Sequence, residues 1–415
     1  MFAPYRRLFD QPGTFAFVIA GLIGRFPLSM LGLGAVLLVT GNTAGSGGAD
    51  GGSYGLAGAV SATMALANAA TAPLIGTASD RLGQARVLVP SVVGHLIGVV
   101  GLVVVGVTHG PAWLYFPAAV VTGAAVPQVS SMVRTRWAGR VGDPAALSTA
   151  FSLESVLDEV VFVIGPVLAT VLATLVWSAG GIAAAGVLAT IGALLLAARR
   201  DSEPGRHVRI AGQRHPSAIA VPGLRVLMIT FLALGGVFGT VDVSMVAFAA
   251  EHGHKPVSGL LLALLAFGSL VSGLLYGTRE WTWSLRDRLI VGAAGLLVAS
   301  TAVALAPSIP VMAVVVVVAG LAIAPTLVAG MGLVEALVPA AARTEGFSWA
   351  ITALAVGVAV GSSLAGVVVD LASGHRAFLL GVAAAGVGLL STAVGRRALA
   401  ARAPDPVTEV ADMGR

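Results

Sequence analysis

The chain has 415 residues, of which 57% are hydrophobic and only 10% are charged, with a mean hydropathy of +0.95. Soluble domains carry about 25% charged residues, so this composition excludes a soluble enzyme or binding domain. It indicates an all-α integral membrane protein with little mass outside the bilayer. The chain has no cysteine, which excludes disulfides, thiol nucleophiles and cysteine-ligated metals.

Twelve runs of the chain reach the roughly 20 mainly apolar residues that a membrane-spanning helix needs. The first half is predicted to cross the membrane at Thr14–Val39, Tyr54–Ile75, Val87–Val107, Ala112–Val133, Leu147–Leu175 and Trp177–Ala198. The second half is predicted to cross it at Leu224–Ala249, Val257–Tyr276, Leu289–Ala306, Ile309–Val334, Thr344–Leu371 and Ala377–Val394.

The basic residues predict the orientation of these spans. With the N-terminus inside, all but three of the 24 Lys and Arg residues fall on the cytoplasmic side. The exceptions are Arg25 within the first span, and Lys255 and Arg376 outside. The positive-inside rule therefore predicts cytoplasmic N- and C-termini. The same asymmetry accounts for the pI near 10.4, so we expect no nucleic-acid partner.

The chain divides into two similar halves. The basic connection 199–222 contains Pro204 and Pro216, and it is predicted to be a cytoplasmic linker between six-helix bundles at residues 1–198 and 223–402. Residues 403–415 are predicted to be a disordered tail after the second bundle. Gly123 in the fourth span and Gly320 in the tenth are one of several matches at an offset of about 200 residues. Such a repeat is typical of transporters that bind substrate between their halves, near the midplane.

The connection after the second span carries a recognisable motif. Residues 76–86 read G-T-A-S-D-R-L-G-Q-A-R, which resembles the G-x-x-x-D-R-x-G-x-x-R signature of the major facilitator superfamily. The matching residues are Gly76, Asp80, Arg81, Gly83 and Arg86. The resemblance implies a monomeric rocker-switch transporter with a cavity lined by spans one, four, seven and ten. It also implies a charged cluster around Asp80 that closes the cytoplasmic side, the alternative being a turn that only fixes topology.

A second resemblance concerns the fifth span. Gly165-Pro166 is similar to the Gly-Pro motif of the superfamily's proton-coupled exporters, although Val161 stands where that motif has an earlier glycine. A proline inside a helix removes a backbone hydrogen bond and favours a kink, so the alternative is an ordinary packing kink. Many of these exporters have an Arg in the fourth span, whereas residues 117–133 contain none. We expect Arg25 to supply that charge.

Ionisable residues inside the spans are the candidates for proton coupling. The fifth span holds Glu154, Asp158 and Glu159, and the seventh holds Asp242. An acid in hydrocarbon costs several kcal/mol unless it is paired, protonated or facing water. Glu154 and Asp158 share one stripe of the helix, and Glu159 lies about 100° from Asp158. Arg25 lies at similar depth, so a structural ion pair is the alternative, although three acids outnumber one Arg.

Further side chains inside the spans are weaker candidates for a substrate cavity. They are Phe26, Ser29, Gln128, Phe238 and Trp349. Packing or hydrogen bonding between helices explains such residues equally well.

These observations predict a secondary active transporter in the cytoplasmic membrane of a bacterium. We expect it to export a small amphipathic or hydrophobic compound in exchange for protons, with the proton gradient as energy source and no cofactor. The alternative is a proton-coupled importer of a sugar, organic acid or other nutrient. An intramembrane enzyme is disfavoured because the sequence has no H-E-x-x-H motif.

Overall fold

A computed structural model describes residues 8–9, 13–43, 53–141, 144–203, 218–278, 281–339 and 343–400. The described residues contain twelve helices long and apolar enough to cross a membrane and no strand, which confirms the predicted fold class. The predicted tail 403–415, linker residues 204–217 and loop residues 44–52 lie outside the described residues.

Each half contributes six of these helices, numbered α1–α12 along the chain. The first half comprises α1 (Thr14–Gly24 and Pro27–Thr43), α2 (Tyr54–Leu82), α3 (Gln84–Val107), α4 (Tyr115–Ala124 and Val129–Arg140), α5 (Pro144–Val171) and α6 (Gly180–Ala198). The second half comprises α7 (Pro222–Glu251), α8 (Val257–Thr278), α9 (Leu285–Ala304), α10 (Ile309–Gly320 and Ile323–Leu337), α11 (Arg343–Leu371) and α12 (Gly374–Val394).

Prolines account for two of the helix interruptions. The turn at Arg25 and Phe26 separates the segments of α1, and Pro27 starts the second segment. Proline disfavours helical backbone at the residue before it, and it has no N–H to donate. The interruption of α4 likewise contains Pro127. These breaks place non-helical backbone inside the bundle, where the surrounding protein shields it from lipid.

Two glycines at equivalent positions let helices pack closely in both halves. A side chain at Gly123 of α4 would collide with the carbonyl oxygen of Met64 in α2. A side chain at Gly320 of α10 would collide in the same way with the carbonyl oxygen of Leu265 in α8. Small residues let the helix backbones approach closely. In a membrane, helices associate through such close packing, because burial of apolar surface no longer drives association. The shared contact supports the internal repeat that the sequence suggests.

The halves meet through α2 against α11 and α5 against α8. We call the end of the bundle where α1 starts the terminal face, and the opposite end the far face. At the far face, the Asp370 carboxylate of α11 accepts hydrogen bonds from the backbone N–H groups of Tyr54 (2.8 Å) and Gly55 (2.6 Å). The first N–H groups of a helix have no partner within it. Asp370 therefore caps α2 from the other half of the molecule.

Lys255 makes a second contact between the halves at the far face. It lies between α7 and α8, and its Nζ donates a hydrogen bond to Oγ1 of Thr40, 2.9 Å away in α1. Burial lowers the pKa of the Lys255 ammonium from 10.5 to about 8. The two contacts close the far end of the interface between the halves.

We predict that Asp370→Ala favours opening of the far face. Loss of a helix N-cap costs about 1 kcal/mol, which corresponds to roughly fivefold in the ratio of open to closed molecules. Spin labels can be attached to cysteines introduced at Thr108 and Ala372, which are both exposed at this face. In the variant, a larger fraction of molecules should show a long distance between the two labels.

Glu251→Ala is the matched control for this measurement. The Glu251 carboxylate accepts a hydrogen bond of 2.5 Å from the N–H of Gly374 at the start of α12, so it caps a helix within the second half. We expect its distance distribution to match that of the wild type. An equal shift in both variants would contradict a cap that acts between the halves.

We also predict that closure of the far face depends on pH through Lys255. An exposed lysine in the open state keeps the ordinary pKa of about 10.4, so the closed state binds fewer protons between about pH 8 and that value. Raising the pH through this window should therefore increase the closed population. Lys255→Met should remove the dependence in the same spin-label measurement, and a dependence that persists in this variant would assign it to another group.

Candidate functional site

A buried ion-pair network occupies the first half. Arg25, at the interruption of α1, is fully buried, and its Nη2 donates to Oε2 of Glu154 on α5. Its Nη1 donates to Oδ1 of Asp158 at 2.8 Å, and its Nε donates to the carbonyl oxygen of Gly21 at 3.1 Å. The side chain of Glu154 is also fully buried. One guanidinium thus holds two carboxylates of α5 against α1.

Helix α4 completes this network. Nε1 of Trp137 donates to Oε1 of Glu154 at 2.8 Å, and Nη2 of Arg134 donates to Oδ2 of Asp158 at 2.9 Å. The fourth span extends to Arg140 instead of ending near Val133 as predicted, so it does contain arginine. Two guanidinium groups therefore face two carboxylates, and the excess of acid inferred from Arg25 alone does not apply to Glu154 and Asp158.

A cavity of about 540 Å³ lies between the halves at mid-depth. Residues from α1, α2, α4, α5, α7, α8, α10 and α11 line it, so four more helices contribute than the resemblance implied. Most of these side chains are apolar, and the neutral polar ones are Ser29, Ser61, Asn68 and Ser269.

Two carboxylates face this cavity from opposite halves, Glu159 of α5 and Asp242 of α7. Neither forms a hydrogen bond or an ion pair with another residue that the structure describes. No Lys or Arg is among the described residues that line the cavity. A charge without a partner in apolar surroundings is costly, and a proton or a cationic ligand removes that cost.

The other predicted cavity residues divide into two groups. Phe238 and Ser29 line the cavity, and the Ser29 hydroxyl donates to the carbonyl oxygen of Val161 at 2.9 Å. Gln128, Phe26 and Trp349 are not among the lining residues.

Each residue of the second group has a contact elsewhere. Gln128 donates to Oδ1 of Asn68 at 2.9 Å and so orients a side chain that does line the cavity. Phe26 packs against the apolar core. Trp349 donates to Oε1 of Glu345 at 3.3 Å, near the start of α11.

The Gly-Pro motif lies where α5 meets two other helices. A side chain at Gly165 would collide with the hydroxyl of Ser29 in α1. Pro166 lines the cavity, and its carbonyl oxygen lies so close to Gly259 of α8 that a side chain there would not fit. Helix α5 continues through Pro166 to Val171. The motif thus combines a close contact within the first half with a close contact between the halves.

The signature motif is mostly helical. Helices α2 and α3 run through it and are separated by Gly83, whose φ of 94° favours glycine. Arg81 and Arg86 are exposed, and neither forms an ion pair with another described residue. A side chain at Gly76 would meet open space. The side chain of Asp80 lies outside the described residues, so its gating role stays a prediction.

Sequence reasoning missed three contributors to this region, which are Arg134, Trp137 and Phe162. Arg134 and Trp137 are three residues apart and so share a helix face. That spacing would have indicated a polar contact if the fourth span had been drawn to its true end. Phe162 follows Glu159 by three residues on α5 and lines the cavity beside it.

We predict that Arg25→Gln lowers thermal stability far more than Arg134→Gln. Breaking a buried ion pair leaves an unpaired charge and costs about 3–5 kcal/mol, whereas exposed pairs contribute about 0–1 kcal/mol. The Arg25 side chain is 0% exposed and that of Arg134 is 45% exposed, although both bind Asp158. Melting temperatures of the purified variants in detergent measure the difference, and equal losses would contradict it.

The chain resembles known transporters in sequence family and in fold. The family model described as Major Facilitator Superfamily matches residues 14–307. The human organic anion transporter MFSD10 (TETRAN) has a similar structure, with 16% identity and a TM-score of 0.64, covering 94% of this chain and 100% of that chain. The nucleoside transporter NupG has 12% identity and a TM-score of 0.67, covering 92% and 98%. No curated protein matches the sequence.

Proposed function

Because the chain belongs to the major facilitator superfamily, and is therefore a membrane transporter rather than an enzyme, we propose that it couples proton movement to export of a small amphipathic or hydrophobic compound. The observation that carries the proposal is a pair of carboxylates, Glu159 and Asp242, in the apolar cavity between the halves, neither with a hydrogen-bond or ion-pair partner among the described residues. The proton gradient supplies the energy, and the protein acts as a monomer in the cytoplasmic membrane of a bacterium.

Competition for the two carboxylates provides the coupling. A proton on Glu159 or Asp242 removes the cost of an isolated charge in the cavity, and a substrate with a cationic or hydrogen-bond-donating group removes it equally well. When one ligand leaves, the other becomes favourable. Exchange of substrate for protons follows if each binds while the cavity faces a different side of the membrane.

The ion-pair network has a different role in this proposal. Glu154 and Asp158 already have guanidinium partners, so they need no proton to offset their burial. We assign them, with Arg25, to holding α5 against α1, and so to fixing which face of α5 meets the cavity. The sequence also suggests that Glu154 and Asp158 take part in proton coupling, and the experiment below tests this as a second hypothesis.

The lining of the cavity favours an amphipathic compound over a nutrient. A sugar needs many hydrogen-bonding groups, whereas the described lining has four neutral polar side chains. An organic anion, the ligand class named for the structural relative MFSD10, would meet two carboxylates and no described cation. The surrounding aromatic and aliphatic side chains, including Phe162 and Phe238, offer apolar contact.

In the proposed transport cycle, the far face is closed while the cavity is open to the terminal face. The cap by Asp370 and the contact of Lys255 with Thr40 hold the halves together at that end. With the basic terminal face in the cytoplasm, the cavity then loads from inside. Separation of the halves at the far face, with closure near the signature motif, releases substrate outside.

We predict that Glu159→Gln and Asp242→Asn abolish substrate-driven proton flux. Each amide keeps the shape of the side chain but does not exchange a proton near neutral pH. Liposomes that contain the purified protein and an internal pH-sensitive dye are screened with amphipathic compounds, and the sign of the flux separates export from import.

Glu335→Gln is the matched control, because Glu335 is an exposed acid at the end of α10 outside the cavity. It should transport as the wild type does. Glu154→Gln and Asp158→Asn should fold less stably and, where they fold, keep coupling. Loss of coupling in these two, with full coupling in Glu159→Gln and Asp242→Asn, would move the proton site to the network. Substrate flux without protons in the wild type would overturn the proposed function.

A further inference from the structure

We propose that the groove between the terminal-face ends of α3 and α6 binds the headgroup of an anionic phospholipid. The groove has a volume of about 710 Å³ and is separate from the central cavity. Arg86, Arg200 and Glu203 supply its polar lining, and Val89, Pro90 and Leu194 contribute to its apolar walls. The inference does not depend on the proposed function, since it concerns the lipid-facing surface of the first half.

The apolar walls continue into a surface suited to acyl chains. On α3, exposed aliphatic side chains recur every three or four residues away from the groove, at Val89, Val93, Ile97, Val100 and Val104. On α6, Val187, Ile191 and Leu194 are also exposed. This spacing places each set on one face of its helix. The two helices pack together, so an acyl chain lying along them ends at the groove.

The charges of the groove fit a phosphate group. Arg86 lies in the first turn of α3 and Arg200 just after α6, and both are exposed without an ion-pair partner among the described residues. Glu203 already has a role, because its Oε1 accepts a hydrogen bond of 3.2 Å from the N–H of Ala85 at the start of α3. Two guanidinium groups offer paired donors that match phosphate oxygens.

The depth of the groove points to a lipid as the source of that phosphate. Arg86 and Arg200 lie at the ends of membrane-spanning helices, where headgroups meet water. A basic residue near an anionic membrane surface strengthens lipid binding about fivefold. A zwitterionic headgroup would bring its own cation towards the two arginines. Charge and apolar continuity together therefore favour an anionic phospholipid over a zwitterionic one.

The test compares phosphatidylglycerol with phosphatidylcholine of identical acyl chains, bound to the full-length purified protein and counted by native mass spectrometry. We expect the wild type to retain phosphatidylglycerol preferentially. The double variant Arg86→Gln/Arg200→Gln should lose that lipid by roughly tenfold or more. Arg397→Gln is the matched control, since Arg397 is an exposed arginine at the same face, beyond α12. It should bind phosphatidylglycerol as the wild type does.

Ala198→Trp gives an independent arm if the double variant does not fold. Ala198 is exposed and lines the groove, so a tryptophan there fills the apolar wall while both arginines remain. Loss of phosphatidylglycerol in this variant supports the site. Equal retention of both lipids by the wild type, or equal losses in the groove and control variants, would overturn it. Displacement of the lipid by millimolar inorganic phosphate would instead assign the groove to the free anion.

Discussion

The burial of one guanidinium governs the arrangement of charge in the first half. Arg25 lies where α1 is interrupted, and there the cost of an isolated charge can be offset only by carboxylates brought within hydrogen-bonding distance. Helix α5 supplies Glu154 and Asp158, four residues apart on one face. Because that face must meet α1, the next residue, Glu159, is turned towards the space between the halves. The ion pairs thus set the rotation of α5, and that rotation creates the acidic cavity.

The acid that faces the cavity from the second half has no such network among the residues that the structure describes. Asp242 on α7 enters the same cavity with no described cation near it. The cavity therefore receives one acid from each half, whereas the halves share their close packing at equivalent glycines, Gly123 and Gly320. Packing is shared by the two halves because close contact in lipid has few solutions.

Much of the fold could be predicted from the sequence, because twelve apolar runs of sufficient length admit few other structures. The site could be predicted only in part. Hydropathy ends a span at its last apolar residue, so it places Arg134 outside the fourth span although the side chain of Arg134 reaches Asp158. Periodicity shows that Asp158 and Glu159 point about 100° apart, but it does not show which of them meets a partner. That choice depends on a contact with Arg25, more than a hundred residues away in the chain.

The cap on α2 determines which substitutions the far face tolerates. Its donors are backbone N–H groups, which every residue except proline retains, so side-chain substitutions at Tyr54 leave the donors in place. Gly55 is constrained for steric reasons, since a side chain would collide with the carboxylate it binds. The second half contributes the acceptor of this cap, the side chain of Asp370. The cap therefore tolerates substitution at Tyr54 but depends on one side chain, Asp370, in the second half.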